Sequence, residues 1–447
     1  MSTLAVVGAG AKAVAVAAKA AVLREMGVDA PEVVAVERTE VAANWRATGG
    51  WTDGAHRLGT SPEKDVGFPY RSAVVAGRNA EIDERMTRYS WQAYLIATGQ
   101  FAEWVDRGRP APTHLRWSQY LRWVAEAVRL NVIPGGVDRL SVDGAGWLLH
   151  TRETEVAADA VMITGPGQAE KSILPGNPLV LSIAQFWHRA AADRISAERV
   201  AVIGGGETAA SMLNELFRHR VSTITVISPQ VTLFTRGEGF FENTLFSDPT
   251  DWTALTLSER RDALARTDRG VFSARVQDAL LADDRIRHLR GRVAHAVARD
   301  GRIRLTLSTN RGGENFETVH GFDLVIDGSG ADPLWFVSLF GQDTLDLLEL
   351  GLGGPLSGDR LAEAIGHDLA VAGVTPKLFL PNLAGLTQGP GFPNLSCLGL
   401  LSDRILGSHI PTSSPRQAGG NPGERPLSAP AEGAFASGRA LKNEESR

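Results

Sequence analysis

The chain has 447 residues, enough for two or three domains with substantial cores, and its 22% charged and 43% hydrophobic composition is ordinary for a globular protein. A formal net charge of −5 gives no reason to expect nucleic acid or an anionic membrane as a partner, and no uninterrupted apolar run reaches the ~20 residues of a membrane span. The single cysteine, Cys397, excludes an internal disulfide, a thiol-pair reductase and a cysteine-rich metal site; with no signal peptide ahead of the first strand, a cytoplasmic protein is expected.

The first element is a short apolar strand, Leu4 to Val7, that runs into Gly8-Ala9-Gly10-Ala11-Lys12-Ala13 and then an Ala/Val/Leu-rich helical pattern, Val14 to Met26. Strand, glycine turn and helix in this order form the dinucleotide fingerprint G-x-G-x-x-A. Gly8 permits the sharp turn, Gly10 permits a close approach of backbone to a pyrophosphate, and Ala13 permits tight packing of helix on strand. The helix N-terminus offers free N–H groups and the positive end of its dipole to the phosphates. A second strand, Val33 to Val36, ends in Glu37, placed to take a ribose hydroxyl pair. A long polar and aromatic segment follows, about 41–125, with Gly/Pro punctuation and the tryptophans Trp45, Trp51, Trp91 and Trp104. It is too long for a passive loop and is expected to be functional. Helices are predicted at Ser90 to Thr98 and Trp117 to Val128, and strands near Asn131 to Val137 and Trp147 to His150. A buried strand, Asp159 to Ile163, ends in Thr164-Gly165.

The opening pattern then recurs. Arg199 to Ile203 is a strand, Gly204-Gly205-Gly206-Glu207-Thr208-Ala209 is a second G-x-G-x-x-A, and a helix to His219 with a strand from Thr223 to Ile227 completes the unit. Gly204, Gly206 and Ala209 take the roles of Gly8, Gly10 and Ala13. Two fingerprints call for two nucleotide cofactors, a flavin and a nicotinamide. The second unit lacks the acid of the first and reads Ser228-Pro229-Gln230, with Arg236 shortly after. Hydroxyl and guanidinium would accept a 2′-phosphate that an acid would repel, so NADPH is expected at the second site, with Ser228 and Arg236 as contacts. Leu255 to Leu281 reads as polar and helical, Arg302 to Ser308 with Asn315 to Val319 as a hairpin, and Phe322 to Ile326 as a buried strand. Its terminal Asp327-Gly328-Ser329-Gly330 echoes Thr164-Gly165 and marks a crossing between domains.

The expected fold class is therefore α/β, with two dinucleotide-binding, Rossmann-like domains of the flavin monooxygenase type and a small substrate-binding region. The expected organisation is an FAD-binding domain at 1–165, an NADPH-binding domain at 166–329, a second part of the FAD and substrate region at 330–408, and a disordered, Ser/Pro/Gly-rich tail at 409–447.

These motifs resemble the flavin-dependent N-hydroxylating monooxygenases of siderophore biosynthesis, and within that family the lysine N6-hydroxylating branch of mycobactin synthesis. The resemblance spans Thr3 to about Leu406. It is carried by GAGAKAVAVAAKA at Gly8, GGWTDGAHRLGTSPEKDVGFPYRS at Gly49, VMITGPGQAEKS at Val161, VIGGGETAASMLNELFRHR at Val202, GEGFFENTLFSDPTDW at Gly237 and LTQGPGFPNLSCLGLLSDR at Leu386. It implies that Lys64, in a Ser-x-x-Lys-Asp segment from Ser61, reaches the substrate carboxylate and the flavin edge. It implies further that Asn243 holds that carboxylate, that Ser396 contacts substrate with Leu395 against the flavin, and that Gln185 touches the cofactor, although Phe186 replaces the family's tyrosine. Three other departures are Asp268 to Ser273 in place of an Asn-Tyr-Ser stretch, Gln388 to Phe392 in place of His-Gly-Leu-Ser-Asp, and Gly59 where an amide side chain is common.

The chemistry implied is NADPH reduction of FAD, oxygen activation as a flavin C4a-hydroperoxide, and transfer of one oxygen to the N6 amine of L-lysine or an acylated lysine. No side chain is assigned a catalytic step and no metal is required. Trp51, Phe68 and Phe392 are candidate walls of a dry pocket. Siderophore assembly-line enzymes would take the product, and a homo-oligomer is compatible with the sequence, which does not fix the oligomeric state. Two other readings stay open at this point. One is a Baeyer–Villiger or sulfur-oxidising flavin monooxygenase, whose linker signature Ser182 to His188 does not supply. The other is a non-catalytic dinucleotide-binding protein.

Overall fold

Residues Leu4 to Val7 are buried without alternation, the mark of a strand covered on both faces. The computed structural model, which describes residues 2–192, 195–268 and 270–410, places this strand, Thr3–Val7, in the middle of a five-stranded parallel sheet. The strand order is Lys377–Phe379, Ala160–Ile163, Thr3–Val7, Glu32–Glu37, Asn131–Pro134. The helix Ala11–Glu25 that follows the first strand carries mostly alanine and valine and is buried on nearly every side. It packs against Asn79–Met86, His114–Ala127 and Leu398–Gly407 as well as the sheet, and only small side chains allow so many neighbours at close range.

A second five-stranded parallel sheet has the order Ile286–Arg290, Arg220–Ser228, Ser196–Ile203, Leu324–Asp327, Val180–Leu181. One face is covered by Glu207–Leu216 and Ile183–Ala192, and the other by an antiparallel sheet of Arg292–Arg299, Arg302–Arg311 and Glu314–Phe322. The last strand of the first sheet, Lys377–Phe379, thus lies beyond the whole of the second sheet in sequence.

The predicted helices of the long insert appear at Trp91–Ala97 and His114–Ala127. The single helical stretch expected over Leu255 to Leu281 is instead two helices, Leu257–Thr267 and Ala274–Leu281. Gly270 takes a positive φ of 71°, and Val271–Phe272 forms a buried two-residue strand beside Phe234–Thr235. The strand Arg292–Arg299 escaped prediction because most of its residues are exposed and it carries no period-two apolar signal. The expected tail lies, apart from its first two residues, outside the described residues. Among the described residues no helix is long and apolar enough to cross a membrane.

Candidate functional site: two glycine turns and the segment between them

At the first turn Gly8 adopts φ 93°, and Gly10 forms the N-cap of Ala11–Glu25. The first intrahelical bond runs from the Val14 N–H to the Gly10 carbonyl, so the amides of Ala11, Lys12 and Ala13 point out of the turn. A Cβ added at Gly10 would meet no protein atom within 4 Å, whereas one at Gly8 would lie 3.1 Å from the Thr164 hydroxyl. Glu37 closes the turn from the neighbouring strand: its carboxylate accepts from the Ala9 N–H at 2.9 Å, the Thr39 N–H at 2.9 Å and the Thr39 hydroxyl at 3.0 Å. An open cradle of backbone donors with an acid at its edge suits a pyrophosphate and an adjoining ribose, so the residues present fit FAD.

The second turn is more crowded. Gly204 has φ 127°, and a Cβ there would lie 2.3 Å from the Gly328 carbonyl oxygen. Gly206 caps Glu207–Leu216, and Ala209 is buried against the sheet. The Glu207 carboxylate accepts from the Ser273 N–H at 3.1 Å and faces the Arg236 guanidinium at 3.4 Å. It also approaches Gly59, where an added Cβ would lie 3.4 Å from a Glu207 oxygen. Around this turn Gln230 Oε1, Arg236 Nε and Asp327 Oδ2 are buried without a hydrogen-bond partner among the described residues. Such unmatched polar atoms beside a helix N-terminus fit a polar ligand such as NADPH. Ser228 lies beside the turn, where a Cβ added at Gly205 would stand 3.5 Å from its hydroxyl; the residue is 1% exposed and that hydroxyl pairs with His288 Nε2 at 3.0 Å. Arg236 stays on the correct side of the turn.

Lys64 and Asn243, far apart in sequence, meet directly: the Lys64 ammonium donates to Asn243 Oδ1 at 3.0 Å. Asn243 is fixed at its other end, its Nδ2 donating to the carbonyls of Glu238 (2.7 Å) and Gly239 (3.1 Å), so it also ties down the start of Phe240–Ser247. Burial holds the Lys64 amine below its ordinary pKa. The loop carrying Lys64 is tied at two points. Asp65, 3% exposed, accepts from the Trp91 N–H (2.8 Å), the Tyr70 hydroxyl (2.8 Å) and the Gly67 N–H (3.1 Å). Burial outweighs these bonds and pushes the Asp65 carboxyl up to about 6. The Phe68 carbonyl then accepts from the Gly399 N–H at 2.7 Å, which seats the loop on the start of Leu398–Gly407. Ser396, buried, stands two residues before that helix, its N–H donating to Asn394 Oδ1 at 2.8 Å, and Leu395 packs half-buried against the first core.

Gln185 is exposed, and its Oε1 accepts from the Ser182 N–H at 2.9 Å while Ser182 Oγ accepts from the Gln185 N–H at 3.2 Å. Those bonds form a capping box for Ile183–Ala192 and leave the amide nitrogen for a ligand. Of the three aromatic walls, Phe68 lies 5.9 Å from the Lys64 ammonium, Phe392 is fully buried under Arg404, and Trp51 packs against the second core.

Two features were missed by the sequence reading. A buried pair, Lys19 and Asp403 at 2.6 Å, joins the first helix to the last; Lys19 also donates to Ser72 Oγ (2.9 Å) and the Gly399 carbonyl (3.0 Å). Lysine in an alanine-rich helix was the available signal. The other is Lys12, inside the first fingerprint, whose ammonium donates to the Pro393 carbonyl at 2.7 Å. Burial lowers its pKa to about 8, against the opposing influence of Cys397 and Asp268.

Two parallel sheets, each ending in a glycine turn, with polar side chains gathered between the first turn and the returning chain, define a flavoprotein with two dinucleotide-binding domains. The chain belongs to the L-lysine 6-monooxygenase/L-ornithine 5-monooxygenase family, whose family model matches residues 82–309. It is 83% identical over 409 residues to the L-lysine N6-monooxygenase MbtG of Mycobacterium tuberculosis, a match covering 91% of this chain and 95% of that protein. Among solved structures it resembles the lysine monooxygenase NbtG from Nocardia farcinica, with a TM-score of 0.83 and 54% identity over 91% of this chain and 100% of the other. The ornithine N-hydroxylase KtzI of Kutzneria sp. 744 shares the fold, with a TM-score of 0.65 at 19% identity, covering 91% of this chain and 98% of that one.

Proposed function

We propose that this chain is an FAD- and NADPH-dependent L-lysine N6-monooxygenase that makes the N6-hydroxylysine unit of a mycobactin-type siderophore. The single observation that carries the placement of substrate is the 3.0 Å contact between Lys64 and Asn243, which gathers a cation and an amide from distant segments. A cation with an amide beside it matches an α-carboxylate, since charge-assisted bonds are the strong ones. The first turn would hold FAD and the second NADPH, and the pair would supply the reducing equivalents and the activated oxygen. The domain boundaries expected above, 1–165, 166–329 and 330–408, are retained as the division of labour between the two cofactors.

The protein's own tasks follow from the substrate. A lysine amine with a pKa near 10.4 is neutral at pH 7 only at a cost of about 4–5 kcal/mol, and neutrality is required for attack. Burial lowers that cost, as it does for Lys64 itself. The Asp65 ties and the seat of Phe68 on Gly399 hold the Lys64 loop against the start of the last helix, so the carboxylate end of the substrate is anchored and its amine directed away from it. Within this proposal the enzyme works in the cytoplasm, as a homo-oligomer, and passes its product to siderophore assembly-line enzymes.

The test is flavin reduction without oxygen, then an oxygen pulse in the presence of L-lysine, N6-acetyl-lysine, L-ornithine or buffer, with hydroxylamine or hydroxamate as the readout. Product is expected from a lysine side chain, and comparison of the first two substrates identifies the free or acylated form. Product from ornithine alone overturns the assignment.

A further inference from the structure

The fingerprint helix carries a feature that phosphate binding by backbone amides does not require. Lys12 sits in its first turn and is half-buried, with three N–H donors on its ammonium and, among the described residues, one hydrogen bond, to the Pro393 carbonyl. Cys397 is 1% exposed, and burial pushes its thiol up to about 12, so it stays neutral and supplies no counter-charge. Asp268 acts on the ammonium electrostatically. The Pro393 carbonyl that holds the Lys12 ammonium stands two residues before Leu395 and three before Ser396, the pair that the family resemblance assigns to flavin and substrate. The backbone of Lys12 belongs to the pyrophosphate cradle, and Lys64 belongs with Asn243 to the substrate end. The Lys12 ammonium, directed from the phosphate cradle to the Pro393 carbonyl, therefore points toward the segment that leads into Leu395 and Ser396. Cys397 is also the N-cap of Leu398–Gly407, so a second helix N-terminus adds positive potential to that segment.

We infer that Lys12 is a flavin-directed cation whose ammonium stands against the isoalloxazine rather than the pyrophosphate, and binds the reduced ring more tightly than the oxidised one. An oxidised isoalloxazine is neutral and a reduced one can carry negative charge, so a cation with an incomplete hydrogen-bond set favours the reduced form. This assignment rests on FAD occupying the first turn.

The experiment is a redox titration of the FAD-loaded enzyme as wild type, Lys12→Met and Lys12→Arg. Lys12→Met is expected to weaken reduced FAD at least tenfold more than oxidised FAD, a fall of about 30 mV in a two-electron midpoint potential. Lys12→Arg, which keeps the charge, is expected to stay near wild type. An unchanged potential in FAD-bound Lys12→Met overturns the proposal, as does an equal loss of both forms, which would put the ammonium on the phosphates. Should Lys12→Met fail to fold, reductive methylation of the wild-type protein answers the same question. Protection of Lys12 by FAD but not by ADP supports the assignment, and equal protection by both overturns it. A wild-type protein that takes up no FAD sinks the cofactor reading itself, a different result from a loaded variant whose potential does not move.

Discussion

The two glycine turns share a motif and differ in what surrounds them. The first is open above Gly10 and closed at its rim by an acid, Glu37, bonded to the turn's own amides. The second is pressed against Gly328 and carries an acid, Glu207, on its helix N-terminus, balanced by Arg236 and the Ser273 N–H. An acid at the rim leaves the phosphate cradle clear, whereas an acid within the first helical turn competes with an incoming phosphate for the same dipole. A cofactor that remains bound and a reductant that must depart after each turnover call for that asymmetry.

The difference can be broken at its strongest point by Gly10→Val. Its Cβ would meet no protein atom within 4 Å and the methyls enter the cradle, so FAD retention and hydroxylation are expected to be lost while the unfolding midpoint of the FAD-free protein changes little; calorimetry beside flavin absorbance checks both. A change at the first glycine of the second turn, Gly204→Ala, behaves oppositely; the position equivalent to Gly10 is Gly206, which is open, with Gly270 N as its nearest atom at 3.9 Å. A Cβ at 2.3 Å from a carbonyl oxygen, on a residue with φ 127°, is expected to cost about 3 kcal/mol or more of stability, read by urea unfolding, whether or not cofactor is present.

A third expectation concerns the loop that carries Lys64. The Asp65 carboxyl titrates near 6 in the folded protein, above its ordinary value, so the native state holds this proton longer than the unfolded chain does. Its contribution is fully present below about pH 4 and lost as pH rises toward 6, a fall of about 3 kcal/mol. Asp65→Asn should remove that slope. Unfolding free energies at pH 4.5 and 7 for both proteins measure the difference, and parallel slopes would refute it.

The smallest expected effect sharpens the comparison most directly. Glu207→Gln removes the competing charge from the second turn and should tighten NADP⁺ by about fivefold, the ~1 kcal/mol an anion is worth at a helix N-terminus. Weaker binding measured by titration calorimetry would mean that Glu207 serves mainly to hold Arg236 and the Ser273 backbone in position.

The α/β class and both glycine turns were legible because strand, turn and helix leave local marks: an apolar run, a G-x-G and an alanine-rich helix. Glu37 was legible as the acid that ends the second strand. The meeting of Lys64 with Asn243 was not, since neither residue is distinctive alone and only tertiary structure joins them; the family resemblance singled them out. Ser228 was legible as the residue that replaces an acid at the end of its strand, but its bond to His288 was not, because only tertiary structure joins the two. The break at Gly270 went unseen because a single glycine within a polar helical pattern does not announce a turn. Lys12 and Lys19 looked like the usual lysines of a helix until burial showed otherwise.

The pairing of Lys19 with Asp403 has a consequence for how the molecule is made. A charged group buried in the first helix waits for a partner near the far end of the described chain, and breaking such a pair costs about 3–5 kcal/mol. During synthesis the opening layer is therefore held short of closure until almost everything else has been translated. The same ion pair acts as a completeness check: a truncated product leaves an unpaired lysine in an apolar interior and cannot pass for the finished enzyme.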